Sequence, residues 1–140
     1  MIKTFRIDGI EAKRYIDPEQ APKEIRIDNN STVLNVIQIS ENQAKMEFKF
    51  TITYSGIGMI TIDGMLIYEG NVRVLIDEWS KKHRMPDNVA QEVHGTIINN
   101  CIIEGVLIAK EVHLPPPIPP PAQFMNAKKV DKKGAIEGYA

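Results

Sequence analysis

Residues 45 to 54, KMEFKFTITY, alternate strictly: Met46, Phe48, Phe50, Ile52 and Tyr54 are separated by Lys45, Glu47, Lys49, Thr51 and Thr53. A period of two puts the first set on one face of a strand and the second on the other. A register slip of one residue would bury Lys45, Glu47 and Lys49 together without partners, so the charged row belongs in water. The run MITIDGMLIY, 59 to 68, follows across Ser55-Gly56-Ile57-Gly58 and predicts an antiparallel hairpin, with Ile60, Ile62, Leu66 and Tyr68 facing inward. Upstream, VLNVIQI at 33 to 39 joins the same strand through Ser40-Glu41-Asn42-Gln43, and KTFRIDGIEAKRYI supplies a fourth strand. The expectation is an antiparallel meander with one apolar face and one face carrying Lys45, Glu47, Lys49, Thr51, Thr53, Thr61 and Asp63.

The apolar face needs a cover, and after Gly70 the period changes to supply it. Val72, Leu75, Ile76 and Trp79 fall at i, i+3, i+4 and i+7, one face of a helix that starts after the N-cap candidate Asn71 and is stopped by Met85-Pro86. A second helix is predicted from an Asp87 N-cap to about Val112, with Val89, Ala90, Val93, Ile97 and Cys101 as its early stripe. Between Cys101 and Ala109 only Glu104 is charged. This run is either a buried strand, which its β-branched residues allow, or a helix with the sheet on one side and another subunit on the other. The helix is preferred, because AQEVHGTIINN before it contains no turn. On that reading Ile97, Cys101, Ile103, Leu107 and Ile108 form an oligomer interface.

Composition narrows the classes of function. The 140 residues suit one domain, and a net charge of −1 implies no general attraction to nucleic acid or anionic lipid. The N-terminus carries Lys3, Arg6 and Asp8 where a signal peptide would be apolar, which predicts a cytoplasmic chain. Cys101 is the single cysteine, in an apolar stretch, and reads as a small buried hydrophobe. The overlapping sequons of Asn29-Asn30-Ser31-Thr32 read as a polar turn. His83, His94 and His113 have no metal-ligand spacing, and His94 reads as a helix-surface or packed residue. Gly56-Ile57-Gly58 precedes a strand and cannot present helix amides to a phosphate. Asp77 and Glu78 point to different helix faces, wrong for a paired acid and base. No catalytic residue, metal site or cofactor is called for, and the chain is read as a non-enzyme.

The helix ends in EVHLPPPIPPPAQF, residues 111 to 124, with six prolines in seven positions. Pro115–Pro117 and Pro119–Pro121 force an extended polyproline path. This strap either packs across its own fold, with Leu114 and Ile118 as pegs, or is displayed to an aromatic-lined groove of another protein.

The order of these features resembles the SecB-type protein-export chaperones. GIGMITIDG, with Gly58, Ile60, Ile62 and Gly64, is similar to the family's strand motif. Pro86 stands where its long helix begins, and Leu114, Pro116 or Pro117, and Phe124 approximate its C-terminal segment. The resemblance covers about residues 2 to 124, read as a single α+β domain, with 125–140 a polar tail. It implies a four-stranded antiparallel sheet with a short and a long helix on one face, assembled as a homotetramer, a dimer of dimers. It further implies a chaperone in protein transport that holds unfolded polypeptide clients without ATP. The groove would be lined by Met65, Leu66, Tyr68, Trp79, Leu114, Ile118 and Phe124, with flexible methionines accepting many sequences. The mixed charge of the strand face departs from the acidic surface expected for docking a translocase motor. The alternatives are an oligomeric scaffold without chaperone activity and a small-ligand-binding protein.

Overall fold

The computed structural model describes residues 1–20 and 24–117, which form strands β1 (Ile2–Arg14), β2 (Ile27–Ser40), β3 (Gln43–Tyr54) and β4 (Gly58–Glu69), then helices α1 (Val72–Lys82) and α2 (Asp87–Glu111). All strand pairs are antiparallel and the sheet order is β1-β4-β3-β2. Only β2, β3 and β4 form the expected meander; the N-terminal strand instead pairs with β4 along most of its length. Central placement of β4 satisfies its main-chain groups on both edges, and Gly64, Met65 and Leu66 are buried in succession along it.

Register follows the alternation. In β3, Met46, Phe48, Phe50, Ile52 and Tyr54 are fully enclosed beneath the helices, while Lys49 and Thr53 are exposed on the other face and Lys45, Glu47 and Thr51 are half-buried there. Ile60, Ile62, Leu66 and Tyr68 of β4 join the same inner layer. Gly64 lets β1 close on it, since a Cβ there would strike the Arg6 carbonyl and lie 2.8 Å from Cζ of Phe48. Phe48 in turn stacks on Phe5 of β1 with ring centroids 5.1 Å apart.

Residues 101–109 are helical. Along α2, Val89, Val93, Ile97, Cys101, Gly105 and Ala109 are buried, one residue in every four, which is the i±4 ridge of a helix laid on a surface. Gly105 brings the axis down onto β3, because a Cβ would sit 2.6 Å from Cδ1 of Ile52. The ends are tied as well. Glu92 accepts from the Ile2 amide at 3.0 Å, and Arg14 of β1 donates to the Val112 carbonyl at 3.0 Å, supplying positive charge where the helix dipole is negative.

The helix starts differ from expectation in detail. Pro86, not Asp87, occupies the N-cap of α2, and Asp87 is its first helical residue; Asn71 caps α1 without a side-chain hydrogen bond. The α1 helix ends at His83, whose amide still donates to the Trp79 carbonyl and whose left-handed backbone (φ 51°) then turns the chain out of the helix ahead of Met85-Pro86. Of the proline strap, Pro115–Pro117 are described: Tyr54 donates its hydroxyl hydrogen to the Pro115 carbonyl at 2.6 Å, and Pro117 approaches Gly105. Ile118, Phe124, the triplet Pro119–Pro121 and the 125–140 tail lie outside the described residues. Among the described residues no helix is long and apolar enough to cross a membrane.

Gly64→Ala should therefore cost about 1–3 kcal/mol or more in urea unfolding, whereas Thr61→Ala on the outer face should change stability by less than about 0.5 kcal/mol. Equal stability of the two variants would show that β1 and Phe48 do not close on Gly64 as described.

Candidate functional site

The two helices do not seal the sheet evenly. Helix α2 runs over its middle, while α1 reaches β2 and then stops at His83, leaving a cleft of about 690 Å³ against the β2 edge. Three elements build it. Ser31, Thr32 and Val33 come from β2; Trp79, His83, Arg84 and Met85 from the end of α1 and the turn after it; Asp87, Ala90, Gln91 and His94 from the first half of α2. Val33, Trp79, Met85 and Ala90 give an apolar wall, and the remaining residues give a polar rim. Trp79 is partly buried and meets the His83 ring edge-on, with centroids 5.7 Å apart.

The strand that floors the cleft is an edge. Pairing places Ser31 and Val33 on the inner face and Thr32 on the outer, so all three line one cleft only where it opens on the main-chain rim of the strand. From Asn29 to Ser40 this edge carries no charged residue, and Leu34, Ile37 and Ile39 are exposed along it. Edge strands are ordinarily shielded by charge, proline or bulges. Here the bulges fall near Leu34 and Ile39, which leaves Ile27–Val33 as a regular stretch facing outward.

At the base of the cleft Ser31 Oγ and His94 Nδ1 lie 2.7 Å apart, both residues buried. Desolvation holds His94 below the ordinary histidine value, so the ring is neutral at neutral pH. By sequence, residues 29–32 read as a polar turn. The tetrapeptide 29–32 is instead inside β2, because its alternation, with Asn29 and Ser31 inward, is a strand pattern whose inner residues happen to be polar. His94 is the packed histidine the sequence allowed for, but its partner sits 63 residues away and no local signal points to it.

The five predicted groove residues that are described are not brought together. Leu66 and Tyr68 lie in the inner layer near one end of β4, while Leu114 packs on Gly58 at the other end. Met65 faces the opposite side of the sheet, paired between Arg6 and Glu47, since successive strand residues alternate. Of the set, Trp79 alone lines the cleft, and Ile118 and Phe124 lie outside the described residues. The predicted interface divides too. Ile97 and Cys101 are enclosed in the chain's own core, on the sheet-facing ridge of α2, and so are unavailable to a partner. Ile108 is half-buried, and Ile103 and Leu107 stand 63% and 58% exposed on the outer side of the helix. Burial, reinforced by Glu104, pushes the Cys101 thiol up to about 12, which leaves it unreactive. Among the described residues no group of three or more His, Cys, Asp or Glu could hold a metal ion.

No family model and no curated protein matches this sequence. Among solved structures, the fold is similar to that of the Mycobacterium tuberculosis SecB-like chaperone Rv1957, in complex with a ChAD peptide from the Rv1956 HigA1 antitoxin. The TM-score is 0.56 at 10% identity, over 83% of this chain and 82% of that one. The four-stranded antiparallel sheet with two C-terminal helices is thus a SecB-like fold.

The buried histidine sets an acid-side limit on stability. A ring whose folded-state pKa is depressed contributes stability that is present above its unfolded value of about 6.5 and is lost as pH falls from there towards the folded value. The melting temperature should fall on acidification below about pH 6.5, and His94→Gln should flatten that fall. A variant with the same pH dependence as the parent would show that His94 is not the group responsible.

Proposed function

We propose that this protein is an ATP-independent holding chaperone that takes unfolded polypeptide in the cleft between β2, α1 and α2. The observation that carries the reading is the coincidence of a strand edge that is uncharged over residues 29–40, with no further strand beside it among the described residues, and an apolar wall at the same opening. An unfolded chain has the same two needs, a partner for its main-chain amides and carbonyls and a place for its apolar side chains. An extended segment laid against residues 29–33 meets the first, and Trp79 with the flexible Met85 meets the second. The likeness of the fold to a chaperone solved with a peptide supports this choice over a scaffold or a small-ligand protein.

The chain also acts as a homo-oligomer in this reading, a dimer of dimers. Support comes from Ile103 and Leu107, two large aliphatic side chains left in water by a helix that buries its other side. For client transfer to a translocase, the outer face of the sheet offers mixed rather than acidic charge, with Lys45, Lys49 and Lys13 beside Glu47, Asp63 and Glu11.

Purified protein at micromolar concentration should suppress aggregation of several unrelated unfolded proteins without nucleotide. Trp79→Ala combined with Met85→Ser should weaken that suppression several-fold while the melting curve stays cooperative. Suppression for one partner alone would favour the scaffold, thermal stabilisation by a narrow set of small molecules would favour the ligand protein, and either would sink the chaperone reading. Separately, Ile103→Asp with Leu107→Asp should reduce the mass seen by light scattering to a smaller species. A parent protein that is already monomeric would refute the assembly.

A further inference from the structure

Helix α2 is coupled to the open strand by the hydrogen bond between His94 and Ser31, and that bond lies in the wall of the cleft. We propose that His94 is a proton-sensitive positioning residue of the site, through which polypeptide is held at neutral pH and released on acidification; this rests on the cleft being the client site.

The argument is one of solvent access. A neutral imidazole shares one hydrogen with Ser31 Oγ, in either sense according to its tautomer. A protonated ring has no acceptor nitrogen, so Nδ1 can only donate to Ser31, and the Ser31 hydroxyl must then turn its own hydrogen elsewhere. The ring also becomes a cation inside the fold, and the cleft is its path to water. Polypeptide seated over Ser31, Thr32 and Val33 covers that path. The occupied site therefore tolerates the charged ring less well than the empty one, and linkage makes the affinity fall as the ring takes up its proton.

Among the described residues that line the cleft, the other charges are of both signs. Arg84, from the turn after α1, opposes protonation of the ring; Asp87, from the first turn of α2, favours it; Ser31, Thr32 and Val33 of β2 carry no charge. His83, at the end of α1, is a second imidazole lining the same cleft and serves as the control.

The test uses the full chain and a rhodamine-labelled unfolded peptide with no His, Asp or Glu, followed by fluorescence anisotropy. Between about pH 7.5 and about pH 5 the affinity should fall, approaching tenfold per pH unit once below the His94 pKa of the free protein. His94→Gln should remove that slope, whatever its affinity at neutral pH, and His83→Gln should keep it. Should His94→Gln fail to fold, an NMR titration of the His94 ring in the parent protein decides the matter, with added peptide expected to lower its pKa. A flat affinity in the parent, a slope that survives in His94→Gln, or a ring pKa unmoved by peptide overturns the inference while leaving the client site standing. Absence of peptide binding at neutral pH overturns the client site itself, and the inference with it.

Discussion

A sheet that is apolar on one side only must be covered, and nearly everything in this molecule follows from how α2 does it. Its ridge of Val89, Val93, Ile97, Cys101, Gly105 and Ala109 lies on the floor made by β3 and β4. At ~25 cal/mol per Å² of apolar surface removed from water, burial along this ridge is a substantial favourable term for the fold. Gly105 sets how close the helix comes, and the ties at Glu92 and Arg14 hold it lengthwise. Exposed ion pairs such as Arg6–Asp8 and Lys81–Asp77 add little by comparison.

Because α2 sits over the middle of the sheet, the flanks depend on something else. Helix α1 takes the β2 side but ends at His83, where the left-handed turn and the following Pro86 redirect the chain into α2. The cleft is what that short helix fails to cover. Its chemistry follows from its neighbours: strand edge below, the last turn of α1 on one side, the first turns of α2 on the other. The candidate site is thus a consequence of incomplete cover, and its polar floor at Ser31 and His94 is tolerable because the two groups satisfy each other.

Burial also sorts the reactive side chains. Cys101 and Tyr54, each pushed to about 12, are locked in the core as packing groups, although Tyr54 keeps a partner in the Pro115 carbonyl and so pins the chain as it leaves α2. The outer side of α2 is the reverse case. Ile103 and Leu107 would be core residues by type, and among the described residues they stand exposed.

The amino-acid sequence by itself determined the elements. Alternation in β3 and β4 sets which side chains are buried, because strand periodicity acts between adjacent residues, and the apolar run 101–109 shows that α2 carries more hydrophobic surface than one sheet can use. Only the tertiary structure decided which strand lies beside which. Pairing of β1 with β4 rather than β2 depends on contacts some fifty residues apart, and it makes β2 an edge. Tertiary packing also set Leu114 against Gly58, at the far end of β4 from Leu66, and joined Ser31 to His94, which no local pattern connects. Face and period are local properties of a chain, whereas an edge or a cleft exists only where distant segments fail to meet.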